Sequence, residues 1–202
     1  MTEKIEKTKD LKEACLNAAR EVIAESGLES LSLREVARKL NVSHQAPYRH
    51  FPSRDHLLVE VMCRCFREFA DNLDARMKNE DPTLDLQALG YQYLNYAKAH
   101  PLEYRLMFGT PWPEVARDQE MVKDACHAFD ILRSVLKRIY GDDDSVSTFI
   151  DQQALFIWST VHGLVSITEA KAMDHLNISP EVIPLAPQHA IKMLSLALLA
   201  AK

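Results

Sequence analysis

Apolar residues recur every three or four positions along most of the chain, in segments separated by short breaks at Pro, Gly and Asn. This period matches one face of an α-helix, and no strand-like alternation of useful length interrupts it. The pattern therefore predicts an all-α protein of about nine helices. We predict these helices at residues 10–26, 33–40, 44–51, 54–78, 83–100, 102–109, 119–140, 146–173 and 188–201.

The second and third predicted helices are joined by a turn of only three residues. Ser32 and Glu35 have the spacing of a capping box, in which the serine accepts from the N–H of residue 35 and the glutamate reaches back. In the turn, Asn41 tolerates a left-handed backbone, Val42 is expected to be buried and Ser43 to cap the next helix. Such a unit is a helix-turn-helix, whose second helix enters the major groove of DNA.

The second helix of this unit, at 44–51, is short and polar although it carries a proline. Pro47 falls in the first helical turn, where a missing N–H is tolerated. Gln45 offers a bidentate amide to adenine, and His44 can donate or accept at base edges. Tyr48, Arg49 and His50 are donors suited to phosphates. The alternative is a solvated face between two packed helices, without any nucleic-acid partner.

The charge balance changes along the chain. Residues 1–56 hold ten Lys or Arg against nine Asp or Glu, together with His44, His50 and His56, whereas the remainder holds 14 against 20. This asymmetry is compatible with a DNA-reading head at 1–56 and an acidic body at 57–202. The charged N-terminus lacks the apolar core of a signal peptide and no apolar run is long enough to span a membrane, so we expect a cytoplasmic protein.

The cysteines and histidines lack the spacing of metal ligands. Cys63 and Cys65 point in different directions on a helix, and the four cysteines have no disulfide framework. His44, His50 and His56 recur every six residues, which is not a helical face repeat. We therefore expect reduced thiols, no metal and no cofactor.

Residues 31–58, LSLREVARKLNVSHQAPYRHFPSRDHLL, resemble the N-terminal domain of the TetR family of transcriptional regulators. The departures from the family pattern are Asn41 for a glycine and Pro47 for a leucine, while Arg54 replaces a lysine conservatively. The residues that match in order and spacing are Arg34, Val36, Ala37, Val42, Ser43, Tyr48, His50, Phe51, Arg54 and Leu57.

The resemblance implies a role for each matched position of the head. Val42, Phe51 and, in part, Ala46 would hold the reading helix to the core of a three-helix domain. Base contacts are implied for Arg34, His44, Gln45 and Ala46. Phosphate contacts are implied for Ser32, Tyr48, Arg49, His50 and Arg54.

Residues 96–109 and 157–164 are similar to the ligand-binding half of TetR regulators that carry a Trp-His-Gly signature. Trp158 and His162 share a helix face, and Gly163 is expected to let another helix approach closely. The alternative for each aromatic residue is ordinary bundle core. The residues predicted to line a drug-sized pocket are Tyr91, Tyr96, His100, Tyr104, Met107, Phe108, Trp112, Phe129, Trp158 and His162.

The last two helices carry more apolar residues than one bundle face buries, which predicts a homodimer with a four-helix interface. Two heads would then read a near-palindromic double-stranded operator with half-sites about 34–36 Å apart or a multiple of that. The residues predicted at the interface are Phe149, Leu155, Trp158, Val165, Ile191, Leu194, Leu198 and Leu199.

The sequence as a whole predicts a repressor that a small, mostly apolar effector releases from DNA. Two alternatives stay open at this point. One is a helical protein-interaction module, and the other is an enzyme in which His100 and Glu103 form an acid/base pair. No phosphate loop or nucleophile elbow supports the enzyme, so we expect no catalysis.

Overall fold

The computed structural model describes residues 2–117, 119–170 and 175–200, with side chains described outside 2–9, 116–117, 119–121 and 199. Within these ranges the chain is helical and has no strands, which confirms the all-α prediction. The eight α-helices are α1 (Thr2–Ser26), α2 (Leu33–Lys39), α3 (Arg54–Asp74), α4 (Pro82–Ala99), α5 (Pro101–Phe108), α6 (Gln119–Tyr140), α7 (Asp144–Glu169) and α8 (Val182–Ala200).

The contacts divide the chain into two compact units. The first, here called the head unit, comprises residues 1–67 and 102–125, and the second, the body unit, comprises 68–101 and 126–202. The head unit therefore contains α5 in addition to α1, α2 and most of α3. The body unit contains α4, most of α6, α7 and α8.

The core of the head unit is built from the apolar faces of α1, α2 and α3. α1 ends where expected, because Gly27 adopts a φ of +84° that other residues avoid. Burial raises the pKa of the Cys15 thiol, so this cysteine acts as small apolar filling. The buried residues of this core include Cys15, Ala19, Ile23, Leu33, Val36, Phe51, Leu57 and Val61.

A buried ion cluster organises one end of the body unit. The carboxylate of Asp85, which is completely buried, accepts hydrogen bonds from Arg76 Nε at 3.0 Å and from the Arg138 guanidinium. Arg138 also donates to the carbonyls of Asn79 and Glu80. The cluster thus holds residues 75–81, which connect α3 to α4, to helix α6.

α3 ends at Asp74, four residues before its predicted end. Arg76 leaves the helical path and turns its guanidinium to Asp85 and to the carbonyl of Leu73. Met77, predicted to belong to the apolar face of this helix, is 90% exposed. The ion cluster therefore ends α3, although the helical spacing of apolar residues continues in the sequence.

α8 begins at Val182, six residues before its predicted start at residue 188. The prolines of this stretch predicted a connector instead of a helix. Pro184 is the third helical residue, where no N–H needs a partner, and only Pro187 removes an internal hydrogen bond. α7 begins at Asp144, because the Asp143 side chain accepts from the N–H of Ser145 at 2.8 Å. Its predicted end at Met173 lies outside the described residues.

Candidate functional site

The turn between α2 and residues 44–51, here called the reading segment, has the predicted left-handed residue. Asn41 has a φ of +53°, the one positive value outside glycine among the described residues. The N–H of Val42 donates to the carbonyl of Ala37 at 3.0 Å and closes the turn. Val42, however, is only half-buried, and Pro47 is the buried residue of this segment.

The reading segment is not the α-helix predicted at 44–51. Pro47–Arg49 form a short 3₁₀ helix, in which the N–H of Arg49 donates to the carbonyl of Ala46. In the turn before it, the N–H of Ala46 donates to the carbonyl of Ser43. The physical reason is Pro47, which has no N–H to offer to the carbonyl of Ser43. The prediction that Ser43 caps this helix was also wrong, because Ala46 is the N-cap residue and no side chain caps it.

The capping box at the start of α2 is only half formed. Ser32 Oγ accepts from the N–H of Glu35 at 3.1 Å, as predicted. The Glu35 carboxylate does not reach back but accepts from Arg38 Nε at 3.0 Å. This hydrogen bond and the positive charge of Arg38 lower the pKa of Glu35.

Four of the residues predicted to contact DNA line one open concavity of about 590 Å³. Arg34 comes from α2, and His44, Gln45 and Tyr48 come from the reading segment. All four are exposed. α2 and the turn therefore bring Arg34 beside three side chains that lie ten or more residues later in the sequence.

Ion pairing sets two arginines in and beside the reading segment apart from the other cations of residues 10–67. Between residues 10 and 67, all described Lys and Arg side chains except those of Arg34 and Arg49 have an acidic partner. The paired cations are Lys12 (with Glu60), Arg20 (with Glu103), Arg38 (with Glu35), Lys39 (with Glu21 and Glu25), Arg54 (with Asp55), Arg64 (with Glu13) and Arg67 (with Asp124). Within residues 10–67, the positive charges without a compensating carboxylate are thus those of Arg34, beside the reading segment, and Arg49, within it.

Three of the other residues predicted to contact DNA are less exposed than those of the concavity. Ala46 and His50 are half-buried, and the His50 ring lies against Phe51 with 6.2 Å between centroids. Phe51 itself is buried, as predicted. Arg54 donates to the carbonyls of Leu31 and Leu28 at 3.0 and 2.9 Å. Arg54 therefore has a structural role that the sequence did not indicate.

The predicted pocket residues are distributed over both units. In the head unit, Met107 is buried, Tyr104 lies against Phe108, and the half-exposed Trp112 packs edge-on against Phe66 at 5.8 Å. In the body unit, the rings of Phe129 and Trp158 lie 5.9 Å apart, and those of Tyr96 and His100 lie 4.5 Å apart.

His162 connects two helices of the body unit through hydrogen bonds. Its Nδ1 lies 3.3 Å from the hydroxyl of Tyr93 on α4, and its Nε2 lies 3.4 Å from Ser166 Oγ on α7. Burial lowers the pKa of His162, which favours the neutral ring. The Trp158 ring lies 6.0 Å from this ring on the same helix face.

Tyr93 is a residue that the sequence prediction missed, since it selected Tyr91 instead. Tyr91 is exposed, whereas Tyr93 is buried and packs edge-on against Phe69 at 5.3 Å. Tyr96 contacts the same Phe69 ring at 5.0 Å. A spacing of three residues from Tyr96 places Tyr93 on the same face of α4, a signal that was present in the sequence.

Close approach between helices occurs at a different glycine from the one predicted. A Cβ at Gly163 would meet nothing within 4 Å, so the expectation that another helix of this chain approaches there was wrong. A Cβ at Gly90 would lie 2.4 Å from Ile191 Cδ1. The absence of a side chain at Gly90 thus allows α4 and α8 to pack closely.

Half of the eight residues predicted at the dimer interface belong to the interior of the body unit. Val165, Ile191, Leu194 and Leu198 are at least nine-tenths buried within one chain, because they pack toward α4 and between α7 and α8. They therefore have little surface to offer to a partner. Phe149 is half-buried against Tyr140 at 5.0 Å, Leu155 is exposed, and the Leu199 side chain lies outside the described residues.

The alternatives to DNA binding have little support in the described part of the chain. No group of three or more His, Cys, Asp or Glu side chains there is placed to hold a metal ion. Glu103, considered above as half of an acid/base pair, forms an ion pair with Arg20 of α1. None of the described helices has both the length and the apolar character that crossing a bilayer requires.

Curated proteins with similar sequences include transcriptional regulators. An HTH-type transcriptional regulator of Mycobacterium tuberculosis is 30% identical over 100 residues, which are 46% of this chain and 42% of that protein. The HTH-type transcriptional repressor KstR of Rhodococcus jostii is 34% identical over 71 residues, 35% of this chain and 32% of that repressor. The chain thus matches less than half of the length of these relatives.

Solved structures resemble the chain over nearly its whole length. A protein of unknown function from Rhodococcus sp. RHA1 has a TM-score of 0.72 at 25% identity, covering 92% of this chain and 95% of that one. A transcriptional regulator from the same source has a TM-score of 0.66 at 24% identity, covering 94% and 96%, and this second likeness concerns the fold alone.

Two family models match separate parts of the chain. The model for bacterial regulatory proteins of the tetR family matches residues 16–61, which include α2 and the reading segment. The model for the tetracyclin repressor-like C-terminal domain matches residues 86–183. Together they cover most of the chain and agree on one family. The chain therefore belongs to the TetR family of bacterial regulatory proteins.

Proposed function

We propose that this protein is a cytoplasmic, ligand-responsive regulator of transcription that binds double-stranded DNA through the concavity of its head unit. The observation that carries the proposal is the ion pairing between residues 10 and 67, where Arg34 and Arg49 are the described cations without an acidic partner. An arginine without a carboxylate partner keeps its donors available for a phosphate or a guanine.

The side chains around the concavity divide into two roles. Arg34, His44 and Gln45 have groups that pair with base edges, and Ala46 offers a methyl for thymine. Tyr48, Arg49, His50 and Ser32 are suited to phosphates, whereas Arg54 also holds the backbone before α2. The 3₁₀ geometry forced by Pro47 shortens the reading segment, so we assign base reading to α2 and the turn together.

The remaining parts of the proposal concern regulation. Two copies would place two heads on a near-palindromic operator. A small, mostly apolar effector would bind among the aromatic residues of the body unit, near Trp158 and His162. The effector must bind the DNA-competent and DNA-released states unequally, by a coupling of about 1–3 kcal/mol.

Repression and membership of the Trp-His-Gly subgroup also belong to this proposal. The relative KstR bears the name of a transcriptional repressor, which supports repression. The TetR family comprises regulators rather than enzymes, as the sequence predicted, so catalysis is not part of the proposed function.

Selection from a random pool of duplexes tests the DNA-binding proposal. We expect the wild-type chain to enrich a near-palindromic sequence, and the double variant Arg34→Ala/Arg49→Ala to enrich none. Arg38→Ala is the matched control, because Arg38 is an exposed arginine of the same region that is already paired with Glu35. Failure of the wild-type chain to enrich any sequence contradicts the proposal.

A further inference from the structure

Pro47 anchors the reading segment in the head unit. Its side chain is buried, and the 3₁₀ helix that it begins packs against α1 and α2. The residues on either side of it that line the concavity, Gln45 and Tyr48, are exposed. Pro47 therefore occupies a fixed position between two exposed side chains that face the concavity.

The hydrogen bonds of this segment wind it with three residues per turn up to Arg49. The N–H of Ala46 donates to the carbonyl of Ser43 at 2.9 Å, and the N–H of Arg49 donates to the carbonyl of Ala46 at 3.2 Å. An α-helix would use the N–H of residue 47 for the Ser43 carbonyl, and proline has no N–H. Ala46 already has a helical φ of −64° and ψ of −48°, so the missing N–H is what separates the segment from an α-helix.

This winding places Gln45 and Tyr48 on the same face of the segment. Three residues turn a 3₁₀ helix through about 360°, so side chains three residues apart lie one above the other. Three residues turn an α-helix through only about 300°. In an α-helical segment, the Gln45 side chain would therefore be rotated by about 60° relative to Tyr48. A bidentate pair between an amide and a base edge does not survive such a rotation, because both of its hydrogen bonds require alignment.

We propose that Pro47 is a positioning residue that sets the base preference of this protein. Tyr48 fixes the segment to a phosphate, and the 3₁₀ winding then presents the Gln45 amide to one adenine. Pro47 acts through Gln45 in this arrangement, because its own side chain is buried. The inference rests on the proposed function, since it requires that the concavity binds duplex DNA.

Two substitutions of Pro47 restore the N–H and differ in size. Pro47→Ala leaves space in the buried site, whereas Pro47→Leu adds volume to it. An effect of the winding is shared by both variants because both gain the same donor, whereas an effect of packing differs between them. Pro52→Ala is the matched control, since Pro52 is an exposed proline that directly follows the reading segment. Urea midpoints establish which of the three variants are folded.

The readout is sequence preference, because a general loss of stability in the head would weaken binding to all duplexes alike. The affinity of each protein is measured on a duplex selected by the wild-type chain and on its single-base variants. We expect the wild-type chain and Pro52→Ala to discriminate by about ten-fold at the base pair that Gln45 reads, and both Pro47 variants by less than about three-fold. We expect all of them to bind a scrambled duplex within about two-fold of one another, since phosphate contacts carry no sequence information.

Gln45→Ala identifies this base pair and completes a double-mutant cycle with Pro47→Ala. In the wild-type background, Gln45→Ala is expected to remove the discrimination at one base pair. In the Pro47→Ala background, it is expected to change the affinity for the selected duplex by less than about two-fold, because the amide no longer faces its base.

The possible failures of this experiment are distinguishable. Equal effects of Gln45→Ala in the two backgrounds, or the wild-type base preference in the Pro47 variants, would overturn the inference and leave the proposed function intact. Base preferences that differ between Pro47→Ala and Pro47→Leu would assign the effect to packing and would also overturn it. A wild-type chain without any sequence preference would contradict the proposed function itself, and the inference with it.

Discussion

The hydroxyl of Tyr93 and the imidazole of His162 lie within 3.3 Å of one another and join α4 to α7 in the body unit. The other ring nitrogen of His162 lies 3.4 Å from Ser166 Oγ. A neutral imidazole has one donor and one acceptor nitrogen, so it can donate to one hydroxyl and accept from the other. Burial lowers the pKa of His162, and this neutral form is therefore the one the fold accommodates.

The lowered pKa of His162 predicts a loss of stability in mild acid. The unfolded chain takes up this proton near the ordinary value of about 6.5, whereas the folded chain does so at lower pH. The stability linked to this group is thus present above about pH 6.5 and is lost as pH falls toward the folded pKa. We expect urea midpoints to fall between about pH 7.5 and 5.5, and to fall less in His162→Gln. An identical pH dependence in the two proteins would contradict this assignment.

The Asp85 cluster predicts a large effect of a small substitution. Asp85→Asn leaves the buried guanidinium of Arg76 without its carboxylate, and breaking a buried pair in this way costs about 3–5 kcal/mol. The exposed pair of Asp130 with Arg133 is the matched control, and Asp130→Asn is expected to cost less than about 1 kcal/mol. Chemical denaturation of both variants measures the difference, and equal losses would contradict a structural role for Asp85.

The contact between Gly90 and Ile191 predicts coupled substitutions. A methyl at position 90 would lie 2.4 Å from Ile191 Cδ1, the atom that Ile191→Val removes. We expect Gly90→Ala to be more favourable by about 1–2 kcal/mol in the Ile191→Val background than in the wild-type chain. Free energies of unfolding of the four proteins give this interaction energy. A value near zero would show that α8 adjusts freely to the added methyl.

The roles proposed around the concavity predict different outcomes for two neighbouring residues. Gln45→Ala is expected to cost about 1–3 kcal/mol on the preferred duplex and to relax the preference at one base pair, since a base edge loses its partner. Arg49→Ala is expected to weaken binding uniformly across sequences, because phosphates carry no sequence information. Binding to a panel of single-base operator variants separates the two patterns, and loss of sequence preference in Arg49→Ala would contradict them.

Local patterns predicted the head more reliably than its reading segment. Gly27, Asn41 and the hydroxyl of Ser32 each act through neighbours in sequence, so the end of α1, the start of α2 and the left-handed residue of the turn form as expected. The start of α1 was predicted at residue 10, but the helix begins at Thr2. The 3₁₀ geometry after the turn was not predicted, because a proline in the first turn of a helix is usually tolerated. The second role of Arg54 depends on carbonyls more than 20 residues away, which no local pattern reveals.

In the body, apolar periodicity located the helices but did not distinguish their two faces. α7 and α8 are apolar on both sides, so the sequence could not tell Ile191, which packs inside, from Met193, which faces outward. The prediction of an interface on these helices accordingly named four core residues among its eight. The Asp85 cluster was missed because its members are isolated charges in sequence that only tertiary folding brings together.

The account depends most on duplex DNA binding by the head unit, and the salt dependence of binding tests it most directly. Fluorescence anisotropy of the full chain with a selected duplex and a scrambled duplex, at several salt concentrations, gives both affinity and slope. We predict preference for the selected duplex and a log–log slope of about −4 or steeper, since several phosphate contacts release counterions. Equal affinity for both duplexes together with a slope near zero would contradict the account.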